Sequence, residues 1–195
     1  KSWLQSNMIF FLLKIDYYLV RPLLNKLFSP AAFVKFYSLV RIPFLKILAK
    51  QSPQVKQASY SVELFKNRLK FRNDLGNAAG FDKDASLLWF NYAIGAGFAV
   101  VGTVLDEQNT GNVINAFGKQ VNPWVPLPNS QTALNTLGLP SQGVDVVIKN
   151  IARFRAEVNP QNFPIGVSVA CHPKKNGQAQ LDALLCMIEK LLPHA

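Results

Sequence analysis

The sequence predicts an α/β fold, a run of strand–helix units preceded by a small helical region, and three observations predict it. From residue 60 onward, short apolar runs rich in Val, Ile, Gly and Ala alternate with stretches whose apolar residues recur at helical spacing. The first 57 residues contain no glycine and read as helical and apolar. Charge divides the chain in a similar place. Residues 1–70 carry twelve Lys and Arg against Asp16 and Glu63, whereas residues 72–195 carry nine basic and nine acidic side chains. The whole net charge of +10 therefore sits in the first third.

Composition excludes several classes. With 195 residues the chain can bury one sizeable core, and 49% hydrophobic with 16% charged residues describe a folded protein rather than a disordered one. Cys171 and Cys186 give neither a disulfide framework nor metal-ligand spacing, which points to a reducing compartment. Neither His172 nor His194 has a partner at metal-site spacing, so no metal is expected. Cys171 and His172, adjacent on a loop, are not expected to face each other as a thiol–imidazole pair. No Gly-x-Gly-x-x-Gly run follows a strand and there is no P-loop, which argues against a dinucleotide-binding turn. The chain opens on Lys1 and ends on Ala195, and either end is compatible with a longer protein.

Residues 1–57 form the first expected region. Met8-Ile9-Phe10-Phe11-Leu12-Leu13 is a short apolar run, cut off at once by Lys14 and Asp16. A spanning helix needs ~20 mainly apolar residues, so no transmembrane span is expected. The aromatic-rich stretch that follows offers no signal-peptide cleavage site. Ser29-Pro30 predicts a helix start, with Ser as N-cap and Pro at the first helical position. Phe33, Phe36 or Tyr37, Val40, Phe44, Ile47 and Leu48 then recur at helical spacing, with Lys35, Ser38, Arg41, Lys46 and Lys50 largely between them. Pro43 is expected to kink or divide this helix, and Ser52-Pro53 to end it.

A basic excess of this kind suggests a membrane surface or nucleic acid as partner. On pattern alone two readings stay open: a bundle that packs its apolar faces on itself, and an interfacial helix pair with aromatics at the acyl boundary and Lys/Arg at anionic headgroups. The scarcity of acidic residues favours the second, because solvated faces ordinarily mix both signs. The expected partner is thus an anionic membrane surface and not nucleic acid.

Residues 58–195 form the second region. Val62 to Phe65, Lys66-Asn67-Arg68 and Leu69 to Phe71 read as a short β-hairpin. A small-residue strand, Leu75 to Gly80, ends in Phe81-Asp82-Lys83; Asp84 is expected to N-cap a helix through Leu87, Leu88, Phe90 and Ile94 that Gly95 or Gly97 stops. Phe98 to Val104 is a second strand, followed by a long loop, Asp106 to Leu139. Ser141 opens a helix with Val144, Val147, Ile148, Ile151 and Phe154 on one face, Pro164 to Val169 is a third strand, and Leu181 to Leu192 a third helix. Successive strand–helix units mean a parallel sheet with right-handed crossovers. Three units do not close a (β/α)8 barrel, which takes ~250 residues, so the residues leave open a small open sheet or part of a barrel.

In either fold, ligands sit at the carboxyl ends of the strands, here Phe81-Asp82-Lys83, Thr103-Val104 and Ser168-Val169. Gly76, Ala78, Ala79 and Gly80 keep the first strand thin, so a flat ligand can lie on its backbone, and Lys83 puts a cation at the rim. A reduced flavin or a substrate carboxylate would both call for that charge; tight packing and a solvated Lys83 are the structural alternative.

These residues resemble a known family. Phe71-Arg72-Asn73-Asp74-Leu75-Gly76-Asn77-Ala78-Ala79-Gly80-Phe81-Asp82-Lys83-Asp84 is similar to the hairpin-to-first-strand signature of class 2, quinone-linked dihydroorotate dehydrogenases. Gly95-Ala96-Gly97-Phe98 through Val101-Gly102-Thr103-Val104 resembles their second strand, and Gly111-Asn112, Leu134-Asn135 with Gly138, Gly143-Val144-Asp145 and Pro164 to Val167 continue the match in order. The resemblance implies the first three strand–helix units of a (β/α)8 TIM barrel, behind a basic, membrane-associating helical region that lies on the quinone side. It implies a flavoprotein oxidoreductase of pyrimidine (UMP) biosynthesis that oxidises dihydroorotate to orotate through FMN, with a membrane quinone as acceptor. The implied location is peripheral, on the cytoplasmic face of a bacterial inner membrane or on the mitochondrial inner membrane.

By position, Ala79, Gly80, Phe81, Asp82, Lys83, Thr103 and Ser168 are the implied cofactor contacts. Lys83, Asn135, Thr136, Leu137, Gly138 and Leu139 are the implied substrate contacts. The general base of the family, a Ser on a loop after the fourth strand, falls beyond Ala195, as does the FMN phosphate site. No catalytic base is expected within these residues, and the chain by itself is expected neither to hold FMN tightly nor to turn over. Departures are concentrated in the loops. Thr103 to Asn112 stand where the family has Thr-Pro-Arg-Pro-Gln-Pro-Gly-Asn, and Ala116 to Lys119 with the Pro-rich Asn122 to Asn129 replace Pro-Arg-Leu-Phe-Arg. Leu139-Pro140-Ser141 replace Phe-Asn-Asn, Ser168 replaces an Asn, and Ala170 to Pro173 replace Gly-Lys-Asn-Lys. These changes keep two alternatives in view: an FMN barrel with another substrate, and a non-catalytic membrane-surface protein.

Overall fold

The computed structural model describes residues 11, 14–51, 62–64, 69–114, 117–119, 121, 123–158 and 162–194. The apolar run at residues 8–13 (Phe11 apart), the Ser52-Pro53 stop and the first hairpin turn lie outside these described residues. The chain divides into two compact units, residues 1–53 with 112–137 and residues 54–111 with 138–195.

In the first unit a π-helical turn, Asp16–Val20, leads into α1, Arg21–Leu27, and then α2, Pro30–Gln51. Ser29 caps α2 as expected, its Oγ accepting the Ala32 N–H at 3.4 Å. Helix α2 runs unbroken through Pro43 instead of dividing there. Its predicted apolar face does not close on itself, for Phe36, Val40, Phe44 and Ile47 all remain exposed. The same unit holds an antiparallel hairpin, β5 (Trp124–Leu127) and β6 (Thr132–Asn135), joined by a 3-10 turn at Pro128–Ser130. The long loop expected over residues 106–139 therefore contains two strands. Pro126 inside β5 hid them, since proline removes a ladder donor and reads as a breaker.

The second unit opens on the expected hairpin, β1 (Val62–Leu64) against β2 (Leu69–Phe71), with Val62 opposite Phe71. Its main sheet has three parallel strands in the order β3-β4-β7: Gly76–Asn77, Phe98–Val104 and Ile165–Val169. Helices α3 (Leu88–Ala93), α4 (Val144–Val158) and α5 (Gly177–Leu191) follow these strands in turn. Strand β4 alternates in burial at its start: Ala99 and Val101 are fully buried, while Phe98 and Val100 are only partly covered. The helix-side core joins Val101 and Val104 to Leu88 of α3, Val147 and Ile151 of α4, and Met187 and Leu191 of α5. Each such side chain contributes about 1.5–3 kcal/mol on burial.

Arg72 fastens the hairpin to this core. Its Nε donates to the Ala96 carbonyl at 2.7 Å and a terminal amino group to the Tyr92 carbonyl at 2.5 Å, while the guanidinium lies over the Tyr92 ring. The Tyr92 carbonyl lies in the last turn of α3 and that of Ala96 in the loop after it, so one cation ties the hairpin to both. Burial holds the Arg72 pKa below its ordinary value. Arg72→Met is expected to lower the unfolding free energy by roughly 2 kcal/mol, the scale of hydrogen bonds to a charged group. Urea denaturation measures it, and a change under about 0.5 kcal/mol, as at an ordinary surface position, would contradict the role.

Candidate functional site

The carboxyl ends of β3 and β4 meet at Gly102. Its φ of 110° lies in the region that favours glycine, and a Cβ there would stand 2.4 Å from the Ser168 carbonyl oxygen and 2.9 Å from the Val104 nitrogen. The Gly102 N–H donates to the Asp82 carbonyl at 2.9 Å, and its own carbonyl accepts the Gly80 N–H at 2.8 Å. Pairing to β4 thus resumes after the turn at Ala79–Gly80, so the strand expected over Leu75–Gly80 is a two-residue ladder followed by a second pair of contacts. The Gly102–Thr103 peptide is cis.

The turn that presents Lys83 is held by carboxylates. Asp82 is 2% exposed and its Oδ2 accepts the Leu87 N–H at 3.0 Å. Asp84 Oδ1 accepts the Ser86 N–H at 3.1 Å, and its carbonyl accepts from Asn150 Nδ2 at 2.8 Å. Ala85, buried, takes a positive φ of 63°. The helix therefore starts at Leu88 and not at Asp84: the Asp84 side chain closes a local turn, and buried Asp82 meets the first free amide. Phe81 packs against Phe90 with ring centroids 6.1 Å apart. Ala79 and Gly80 are exposed, Lys83 is half-buried, and the space beside Gly80 is open to 4 Å from the position of a Cβ.

On the neighbouring strands, Thr103 Oγ1 and Ser168 Oγ lie 3.4 Å apart. The loop beyond Thr103 is tied on several sides. Ser141 Oγ accepts the Leu105 N–H at 3.1 Å, and Ser141 and Asn109 exchange backbone bonds of 2.8 and 2.9 Å. Lys175 Nζ bonds the Asp106 carboxylate and, at 2.6 Å, that of Glu107. Partial burial pushes the Asp106 pKa up, but the Lys175 ammonium outweighs it and leaves the carboxyl below its ordinary range; Lys175 is raised in return. The Lys175 cluster was not predicted, since nothing in the sequence links positions 69 residues apart. His172 is buried, and its Nδ1 accepts the Lys174 N–H at 3.2 Å.

The boundary between the units falls within the segment Asn135 to Leu139. Asn135, on β6 opposite Trp124, with Thr136 and Leu137, belongs to the first unit; Gly138 and Leu139 belong to the second. In the first unit the Asn112 N–H donates to the Leu137 carbonyl at 3.0 Å, and Asn112 Nδ2 to that of Thr136 at 2.8 Å. In the second, Asn109 Nδ2 donates to the carbonyls of Gly138 and Leu139 at 2.9 and 3.0 Å.

The first unit has a cavity of its own, about 680 Å³. Phe33, Phe36, Val40, Phe44 and Trp124 line it, together with Asp16, Arg21 and Tyr37. Asp16 accepts from the Tyr37 hydroxyl at 2.6 Å and from Arg21 Nε at 2.7 Å. Burial, then the bond to Asp16, raises the Tyr37 pKa. Among the described residues no helix is long and apolar enough to cross a membrane, and no group of His, Cys, Asp and Glu could hold a metal ion.

A sequence model of the family described as dihydroorotate dehydrogenase matches residues 62–194. The chain belongs to the dihydroorotate dehydrogenase family. The dihydroorotate dehydrogenase (quinone) of a Nitratiruptor species is 30% identical over 127 residues, 65% of this chain and 32% of that protein. That of Burkholderia pseudomallei (strain 668) is 30% identical over 146 residues, 74% of this chain and 37% of that protein. The chain spans about a third of the length of the curated relatives it matches. The crystal structure of the Eimeria tenella enzyme in complex with ferulenol superposes with a TM-score of 0.59 at 23% identity, covering 78% of this chain and 40% of that one. The ligand-free form gives 0.54 at 22% identity, covering 79% and 42%. At these identities the likeness concerns the fold, and with the parallel sheet it is consistent with part of a (β/α)8 barrel.

Dihydroorotate dehydrogenases are flavin-dependent, and the strand ends fit a flavin. Ala79 and Gly80 leave exposed backbone beside open space, Thr103 and Ser168 supply two hydroxyls, and Lys83 supplies an ammonium. In this member of the family the Lys175 cluster ties down the loop that follows Thr103. A carboxyl held below its ordinary range, as Asp106 is, stabilises the fold above the usual carboxylate pKa of ~3.9 and loses that contribution as pH falls through its lower folded value. Lys175→Met should therefore shift acid unfolding, followed by circular dichroism, to higher pH. An unchanged acid midpoint would show that the cluster does not hold the loop.

Proposed function

We propose that the chain is the flavin-side front part of an enzyme that oxidises dihydroorotate to orotate in pyrimidine biosynthesis, with FMN as prosthetic group and a membrane quinone as electron acceptor. The observation that carries the reading is the strand-end cluster within the family match: thin, exposed backbone at Ala79–Gly80, with Lys83 on the turn that follows and the Thr103–Ser168 pair on the neighbouring strands. When bound, FMN supplies the two-electron chemistry that no side chain offers. Ala79 and Gly80 give its ring a backbone floor, Phe81 and Asp82 fix the turn, and Thr103 and Ser168 offer hydroxyls to its polar edge. Lys83 places positive charge where a reduced ring or the substrate carboxylate carries negative charge. Asn135, Thr136, Leu137, Gly138 and Leu139 form the segment that holds the substrate.

The first unit serves the acceptor side. The names of the relatives specify a quinone, and the aromatic walls of the cavity at Phe33, Phe36, Phe44 and Trp124 suit a flat ring with an alkyl tail. Its polar end is built by the π-helical turn, which brings Asp16 and Arg21 together. Five residues apart on an α-helix, those side chains would point roughly 140° away from each other. The exposed apolar side chains of α2, interspersed with Arg41 and Lys46, suit the interface of an anionic membrane. The association is peripheral, at the cytoplasmic face of a bacterial inner membrane or at the mitochondrial inner membrane. A second reading, the same flavin site with another substrate, is favoured by Asp106 and Glu107 in the loop after Thr103.

The test uses the whole protein: flavin absorbance after purification, and its bleaching by dihydroorotate. Lys83→Ala should slow bleaching by about 10²-fold, the scale of losing one placed electrostatic donor. A colourless protein sinks the proposal, and bleaching by another reduced substrate alone selects the second reading.

A further inference from the structure

We propose that Lys175 is a positioning residue for the flavin site: by clamping Asp106 and Glu107 to the loop after β7, it holds the end of β4 in the phase that turns the Thr103 hydroxyl onto the open face of the sheet. The inference rests on the flavin reading above and names a residue that acts on the cofactor only through Thr103.

The need for a clamp follows from the register of β4. Val101 pairs with Val167, but the next pair is Val104 with Val169. Two residues, Gly102 and Thr103, therefore stand opposite the single residue Ser168, which is a β-bulge. An extra residue moves every later side chain to the other face of a strand. Burial records the change: Ala99 and Val101 lie in the helix-side core, and after the bulge it is Val104 that returns to it, not Thr103. Thr103 instead joins the face of Phe98 and Val100, which line a cavity with Gly166 of β7. Ser168, two residues beyond Gly166, shares that face, and the two hydroxyls meet at 3.4 Å. In the unbulged register Thr103 would follow Val101 into the core and leave Ser168 alone.

A bulge is one of two neighbouring registers, so whatever fixes the chain beyond it selects between them. Directly beyond it, the Ala170 N–H donates to the Val104 carbonyl at 3.1 Å, and Leu105, fully buried, donates its N–H to Ser141 Oγ. Asp106 and Glu107 come next, and Lys175 Nζ binds both. Lys175 is itself placed by the loop after β7: its N–H donates to the His172 carbonyl at 3.0 Å, and His172 is buried. The clamp thus joins the continuations of the same two strands whose last side chains on the open face are Thr103 and Ser168. Asp106 is the stronger half, with a side chain 14% exposed against 66% for Glu107, and exposed ion pairs contribute little.

The experiment uses the whole flavin-bearing protein and reads the dissociation constant of FMN together with the visible flavin spectrum. Lys175→Met should weaken FMN binding by about tenfold, the scale of a lost hydrogen bond, and shift the spectrum towards that of Thr103→Val. Lys175→Arg should restore both to within about twofold of wild type, and Glu107→Gln should change either by less than Asp106→Asn does. In the double variant, Lys175→Met should add less than twofold to Thr103→Val, because the clamp acts through that hydroxyl. The proposal is overturned if Lys175→Met leaves binding and spectrum unchanged, or if its effect multiplies fully with that of Thr103→Val. Amide exchange separates this outcome from failure of the flavin reading. If the wild type carries no flavin, faster exchange at Ala170 in Lys175→Met, with Val101 unchanged, supports the clamp while the flavin reading falls. Equal exchange at Ala170 overturns the clamp as well.

Discussion

The backbone at Gly102 is the constraint on which the second unit depends. One residue donates to Asp82, accepts from Gly80 and passes so close to the Ser168 carbonyl that no side chain fits. Three strand ends are thereby brought to one level. Without that closeness the turn at Ala79–Gly80 would have no partner after the short ladder of β3, and the turn that carries Lys83 would lose its anchor to β4. Buried Asp82 continues the same logic: its carbonyl belongs to the ladder, while its carboxylate meets the amide of Leu87. That buried bond to the Leu87 amide fixes the geometry of the rim that carries Lys83.

The two units treat their apolar residues differently. In the second, helices cover one face of the sheet, and Val101, Ile151 and Phe163 are enclosed. In the first, α2 leaves Phe36, Leu39, Phe44 and Ile47 exposed beside basic side chains, while Asp16, Arg21 and Tyr37 bind one another at the polar end of an aromatic cavity. A large exposed apolar area marks an interaction surface. The contrast is one of packing: the second unit encloses its apolar residues, and the first leaves an apolar helix face and an aromatic-walled cavity open.

Much of this was legible in the residues. Strand β4 matched its expected bounds, because glycines end the preceding helix and a Val-rich run follows. Helix α4 matched its expected face through Val144, Val147, Ile151 and Phe154, since periodicity survives whatever the tertiary partner. The family was legible in residues 71–84, where small residues and aspartates answer to the backbone geometry of a turn. What failed to show were choices made by distant contacts. Asp84 had the better capping position, but Asp82 was buried where the amide was. Pro126 disguised a strand that the pairing of Trp124 with Asn135 sustains. The bulge at Gly102–Thr103 left no mark on the alternation of an apolar run, and it turns a hydroxyl from one face to the other. The bonds of Lys175 to Asp106, and of Tyr37 to Asp16, join residues that no local pattern connects.

The central claim is that Gly80, Gly102 and Asp82 form a continuous ladder that sets the site. Amide hydrogen exchange in the whole protein, followed residue by residue, tests it most directly. The account predicts that the Gly80 and Gly102 amides exchange as slowly as the core amide of Val101, because all three open only when the sheet does. Fast exchange at Gly80 and Gly102, at the rate of an exposed turn while Val101 stays protected, would contradict it.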